Sequence, residues 1–461
     1  MSIRFNINKL DINIKKWIID NLVYKSNKFN KLRNYNKYNK NQDTNKIECY
    51  NINNDYMYIP YNTAFNLFKH NYNKDLMFPK FNFYNNIKLY NYQISIYNEA
   101  MANLKEYGTT TLYIYTGAGK TLITVKLSAD LGYITIILVS STDVATQWVN
   151  NYKNVTNMEP WLVDEKLPEK TPNVIICMDG RLHHIPIELL NKCGTLVVDE
   201  AHTFCTELRI KTILKIQPKY VIMCTATLKR SDGLDKALKA IAGNHHIYRK
   251  SDKPFMVYKY NTGINVPIKY TYYKELDFNA LLNDLSLHIE RNKMILKIVK
   301  DNPSFKILIM TRRVSHVEIL YTVLKNSGES VDYMSGNKKS YKDSRILVGS
   351  IQKIGTGFDE KSLCPDFNGR RIDMLILANT IKNDALLEQV VGRAFRSDFP
   401  HIIHLVDDID IIKYAHWKVA ENWYISRNGT IQEVFSDYYK NNKKINTEID
   451  QIIPDDVHKY I

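Results

Sequence analysis

From residue 87 onward, short β-branched and aliphatic runs alternate with segments whose apolar positions recur at helical spacing. Runs at 111–115, 135–139, 174–177, 196–198 and 220–224 are apolar at almost every position, as strands of a parallel sheet buried on both faces must be. Helical patterns between them predict helices on both faces of that sheet. Residues 245–284 are less regular, and Asp252-Lys253-Pro254 marks a junction. The alternation then returns, with a helix over 285–299 and strands at 306–310, 345–349, 374–378 and 402–406. From 414 the tail reads as helical. Residues 1–86 hold only short apolar pieces, at 17–19 and 56–59, among Asn, Lys and Tyr. The pattern divides the chain into an accessory region (1–86), an α/β domain (87–250), a junction (251–284), a second α/β domain (285–413) and a helical tail (414–461).

At 461 residues, 44% of them hydrophobic, the chain can fill more than one core. No apolar run approaches the roughly 20 residues of a membrane span, so no membrane partner is expected. The opening Met1-Ser2-Ile3-Arg4-Phe5-Asn6 lacks a signal-peptide core, which predicts a cytoplasmic protein. Six cysteines are scattered without a C-x-x-C pair and read as reduced, mostly buried residues. Cys193, His202 and Cys205 could make a zinc site, but His202 is better explained as a companion of the acids that precede it.

The net charge of +15 points to nucleic acid. Residues 1–86 carry 14 lysines and arginines against 6 acids, more than half of the surplus. Between Lys25 and Lys46 these cations are interleaved with Phe29, Tyr35 and Tyr38, which could hold phosphates and stack bases. The competing reading is a compositional bias, since Asn, Lys, Ile and Tyr abound throughout.

Against this background two segments carry chemistry. Residues 115–121, Tyr-Thr-Gly-Ala-Gly-Lys-Thr, sit between a strand and a helical pattern. Gly117 and Gly119 let the loop of Thr116 and Ala118 turn its N–H groups toward phosphate. Lys120 would reach the β and γ phosphates and Thr121 would bind Mg²⁺, with the helix dipole favouring the anion. The first glycine of the usual G-x-x-x-x-G-K-[ST] pattern is replaced by Ile114. Some 80 residues later, Asp199-Glu200-Ala201-His202 ends a buried strand. Asp199 would hold the metal and Glu200 would position the attacking water. Thr225 and Thr227 end the next strand, where hydroxyls can sense that acidic pair. In 389–396, Arg393 and Arg396 are three apart and would share a helix face. They either serve a phosphate or form a basic surface.

Together these residues resemble the superfamily 2 helicases of DEAH type over residues 87 to 410. Tyr92-Gln93 is similar to the adenine-contacting segment, 116–121 to motif I, and Ser140-Ser141-Thr142 with Gln147-Trp148 to motif Ia. Asp199 to His202 match motif II, 225–227 motif III, 307–311 motif IV, 355–359 motif V and 389–396 motif VI. The resemblance implies two tandem RecA-like domains and the cofactors ATP and Mg²⁺. It implies nucleotide contacts by Gln93, Gly357 and Asp359, nucleic-acid contacts by Thr142, Gln147 and Gly355, and coupling by His202, Thr225 and Thr227. Gln389, Arg393 and Arg396 would join Glu200 in catalysis.

The run 225–233, Thr-Ala-Thr-Leu-Lys-Arg-Ser-Asp-Gly, is similar to the XPB/UvsW-like branch, with Leu228 in place of a proline. Within that branch the poxviral transcript-termination DNA helicases are nearest in length and composition. Their likeness implies DNA as partner, single-stranded or duplex, and movement 3′ to 5′. It also implies a viral transcription role with RNA polymerase or transcription factors, and packaging in the virion. The alternatives are an RNA helicase, or a non-catalytic assembly factor that binds nucleic acid within a transcription complex.

Overall fold

The computed structural model describes residues 1–25, 46–69, 76–225, 233–355, 358 and 360–441. The chain forms two compact units, Met1–Arg249 and Lys250–Ile461. In the first, an N-terminal part contributes β1 (Ser2–Asn6), β2 (Val23–Lys25), β3 (Lys46–Glu48), β4 (Asn51–Asn53) and β5 (Tyr56–Pro60). The main sheet follows with β6 (Thr109–Ile114), β7 (Thr135–Val139), β8 (Pro160–Leu162), β9 (Val174–Met178), β10 (Thr195–Val198), β11 (Tyr220–Thr225) and β12 (His246–Arg249). Its spatial order is β12-β6-β11-β10-β7-β9-β8, and all neighbours are parallel.

Strand periodicity divides the apolar runs between two cores. Ile136, Leu138, Leu196, Val198, Val221 and Met223 face one side. Ile137, Val139, Val197, Ile222 and Cys224 face the other, where the helices Lys120–Leu131 and Thr142–Val155 pack. Met1, Ile3, Ile18, Met57 and Ile59 join the first of these cores. Ser2 fixes that attachment, its N–H donating to Ile216 O and its hydroxyl to Leu214 O at 2.6 Å.

The second unit carries β13 (Phe255–Asn261), β14 (Ile307–Thr311), β15 (Val331–Met334), β16 (Ile346–Ser350), β17 (Met374–Leu377), β18 (His401–Val406) and β19 (Gly429–Phe435). Its order is β15-β16-β14-β17-β18-β13-β19, again all parallel. Arg291 and Asp407 form a fully buried ion pair there, with Nε to Oδ1 at 2.8 Å. Two parallel seven-stranded sheets flanked by helices are the architecture of tandem RecA-like domains, the α/β class expected.

Three local readings need correction. The irregular stretch after 245 contains strands β12 and β13, in which exposed His246 and Tyr248 and half-buried Tyr258, Lys259 and Tyr260 interrupt any continuous apolar run. The tail is helical over Trp417–Ser426 and then turns into β19, an edge strand with little apolar content. The helix expected over 285–299 is two helices, Phe278–Leu287 and Ile289–Asp301. His288 breaks it with extended backbone, and its ring accepts from Arg291 N at 3.4 Å.

Candidate functional site

The glycine loop of the first unit runs from the end of β6 into the helix Lys120–Leu131. Gly117 and Gly119 have φ of +92° and +85°, values that require glycine at little cost. Beyond Gly117 the space is open, whereas a Cβ at Gly119 would collide with the amide of Gln93. Gln93 is 2% exposed; its Nε2 donates to Ala118 O at 3.0 Å and its Oε1 accepts from Tyr90 N at 3.0 Å. The expected adenine-contacting glutamine therefore braces the loop from behind. Beside it Tyr90 and Tyr92 are exposed and stack, their rings 5.9 Å apart and 3° from parallel. Ala118 is buried, while Thr116 and Thr121 are half-buried. Lys120 Nζ donates to Ile114 O at 2.8 Å, back across the loop.

Asp199 and Glu200 follow β10. Asp199 Oδ1 accepts from Glu200 N at 3.0 Å, and Oδ2 from the indole Nε1 of Trp148 at 2.9 Å. Burial, then the charge of Glu200, pushes the Asp199 carboxyl up to about 6, against the pull of the Trp148 bond and of Lys120. Glu200 holds left-handed backbone angles of φ 47° and ψ 52°, a strained state for a non-glycine residue. His202 Nδ1 lies 3.0 Å from Thr225 Oγ1 and 3.3 Å from Glu200 Oε2, so motif II meets the end of β11 through this ring. Thr227 and the rest of 226–232 lie outside the described residues, as do Lys28 to Lys40 of the basic aromatic segment.

Glycine turns open to a phosphate, a helix N-terminus, one lysine and two carboxylates at the ends of neighbouring elements fit an Mg²⁺-bound phosphate chain. A zinc site does not assemble, because its three residues have separate partners. The Cys193 thiol donates to Thr195 O, His202 meets Thr225, and Cys205 is buried beside Cys49. No group of three or more metal-binding side chains occurs among the described residues.

The motif Ia segment splits in two. Thr142 is exposed at the head of the helix Thr142–Val155, whose N-cap is Ser141. Gln147, expected at nucleic acid, has its Nε2 buried without a hydrogen-bond partner. Trp148 is 2% exposed and points to the carboxylate instead. Sequence reasoning grouped Trp148 with Gln147 and missed this bond, for which no local signal exists.

In the second unit the helix Asp384–Val391 ends before Gly392, and Ala394–Arg396 is a 3₁₀ turn. Arg393 and Arg396 are therefore not on one regular helix as expected, yet both reach the same backbone. Arg393 is 7% exposed and donates to Gly355 O at 2.8 Å and Phe358 O at 2.9 Å; Arg396 donates to Phe358 O at 3.2 Å. Motifs V and VI are thus tied together. Gln389 is buried on the helix before them. Thr356, Gly357 and Asp359 lie outside the described residues. Among the described residues, no helix is long and apolar enough to cross a membrane.

Residues 86–230 match the family described as Type III restriction enzyme, res subunit. The chain is 28% identical to protein 161L of Invertebrate iridescent virus 6, named as a helicase, over 68% of this chain and 76% of that protein. It is 25% identical to protein 055L of Frog virus 3, also named as a helicase, over 76% of this chain and 80% of that one. Among solved structures it is similar to S. cerevisiae Dbp5 bound to RNA and ADP BeF3. That likeness has a TM-score of 0.53 at 15% identity, over 77% of this chain and 93% of Dbp5, and it concerns the fold alone.

Proposed function

We propose that this chain, a superfamily 2 helicase-type protein by its likeness, hydrolyses ATP to move on nucleic acid and that its substrate is DNA. One observation carries the reading: the glycine loop with Lys120 and the Asp199–Glu200 pair follow the carboxyl ends of β6 and β10, interior strands that flank β11 in the first unit's sheet. Lys120 and the N–H groups at the head of its helix would hold the β and γ phosphates. Thr121 and Asp199 would hold Mg²⁺, which when bound neutralises charge on the phosphates. Glu200 would orient the attacking water and take its proton. Gln93, locked to the loop at Ala118, would contact adenine and set the loop's shape in response. His202 would pass the state of Glu200 to Thr225 and on to Thr227. This is catalysis by positioning and electrostatics, with no covalent intermediate.

Thr142 and Gly355 are the proposed nucleic-acid contacts, with Gln147 a member that needs its amide exposed first. Gln389, Arg393 and Arg396 are proposed to complete hydrolysis, Arg393 also steadying the Gly355 loop by the two carbonyls it already holds. Movement 3′ to 5′ rests on the likeness of 225–233 to the XPB/UvsW-like branch, and a part in viral transcript release with RNA polymerase or transcription factors rests on the likeness in length and composition to the poxviral helicases of that branch. ATPase rates measured alone and with single-stranded DNA, duplex DNA or RNA test the proposal. Stimulation by DNA supports it, stimulation by RNA alone replaces DNA with RNA, and no hydrolysis under any condition leaves the assembly-factor reading. Strand displacement from duplexes with 3′ or 5′ tails reads the direction.

A further inference from the structure

The helix Thr142–Val155 is bolted to the candidate site at two places. Tyr152, 0% exposed, shares a 2.6 Å hydrogen bond with Ser128 on the glycine-loop helix. One turn earlier, Trp148 donates its only polar hydrogen to Asp199 Oδ2 at 2.9 Å. Trp148 is 2% exposed, so no water competes for that bond, and its ring lies against Tyr152 with centroids 6.3 Å apart. Asp199 Oδ1 is meanwhile held by Glu200 N. A carboxylate with both oxygens engaged has one rotamer, and the indole decides which.

We propose that Trp148 is the positioning residue of the metal site: it fixes the Asp199 carboxylate in the orientation that binds Mg²⁺, and it does so from the helix whose head carries Thr142. Partners that orient a metal-binding carboxylate typically change metal affinity 10- to 100-fold when removed. The inference rests on the ATPase reading above, because it assumes that Asp199 meets Mg²⁺. It also gives the helix a use beyond nucleic-acid contact. A shift at Thr142 would be carried by a single rigid element to the indole and so to the carboxylate.

The test is the Mg²⁺ dependence of nucleic-acid-stimulated ATPase in the full chain. Trp148→Phe keeps an aromatic ring and removes the N–H. Its half-saturating Mg²⁺ should rise about tenfold, with the rate at saturating Mg²⁺ changed by less than about twofold. Tyr152→Phe, which removes a buried hydrogen bond from the same helix without touching Asp199, should leave the Mg²⁺ half-saturation in place. A folded Trp148→Phe protein with wild-type Mg²⁺ dependence overturns the proposal. A second measurement covers the case in which Trp148→Phe fails to fold. In wild-type protein with nitrogen-15-labelled tryptophan, one indole N–H resonance should move when Mg²⁺ is added to the ADP-bound protein. If none of the indole resonances moves, the inference falls. Wild-type protein without any Mg²⁺-dependent ATPase overturns the reading beneath it, a result separable from either outcome for Trp148.

Discussion

Alanine at Gly119 should be far more costly than alanine at Gly117, although the two glycines share a loop and similar backbone angles. Both have φ near +90°, so a Cβ at either costs about 1–2 kcal/mol of backbone strain. At Gly117 nothing lies within 4 Å of the new atom, and the cost stops there. At Gly119 the Cβ would overlap Gln93 Nε2, and the glutamine must swing away. Doing so forfeits its two hydrogen bonds, to Ala118 O and from Tyr90 N, each about 1 kcal/mol net. Gly119→Ala should therefore destabilise the first unit by about 3–4 kcal/mol. Gln93→Ala already lacks both bonds, so adding Gly119→Ala to it should cost only the strain. The double-mutant cycle should then show about 2 kcal/mol of coupling. Urea unfolding of the four proteins measures this, and nucleotide affinity should weaken in the same order. Equal costs at Gly117 and Gly119, or a cycle additive to within about 0.5 kcal/mol, would refute the view that Gln93 braces the loop.

Lys120→Ala should abolish ATPase while leaving DNA retention in filter binding near wild type; normal turnover would remove Lys120 from the site. Glu200→Gln should bind ATP and fail to hydrolyse it, read as retained radiolabelled ATP, and rapid hydrolysis would move the base elsewhere. The second unit should lose stability in acid. Burial lowers His316 and His404 to about 3, well below an ordinary histidine, so each is neutral when folded and takes up a proton on unfolding. Stability is then full above about pH 6.5 and falls by about 1.4 kcal/mol per pH unit for each ring as pH drops toward 3. Urea midpoints between pH 7 and 5 test this, and a flat profile would contradict it. Asp407→Asn should cost about 3–5 kcal/mol by stranding the buried Arg291, most of it regained in Arg291→Met with Asp407→Leu; equal losses in the single and double variants would refute that account.

What could be read from the chain alone follows the range of each interaction. β7, β10 and β11 are legible because both faces of each strand are buried, which leaves an unbroken apolar run. The glycine loop is legible because a glycine turn that joins a strand to a helix is a local property of 116–121. β13 and β19 were not, since half-exposed strands borrow their stability from a neighbour and carry no run of their own. The break at His288 was hidden because helical apolar spacing continues through it. At the site, Asp199 and Glu200 could be read, but not the indole 51 residues earlier that holds Asp199. Gln93 was visible as a contact for adenine and invisible as a brace, because the second role depends on how closely Gly119 approaches it.

The place of β13 has a consequence for how the protein is made. This first strand of the second unit lies between β18 and β19, the last two strands of its sheet to leave the ribosome. From Asn261 to His401 is 140 residues, during which β13 has neither of its partners. At about 5–20 residues per second that interval lasts on the order of 7–30 s. The first unit has no such wait after Arg249, because all of its strands precede that point. Nascent chains halted between 261 and 401 should therefore present one finished unit joined to a strand with two unpaired edges, a species prone to aggregate and a natural client for chaperones.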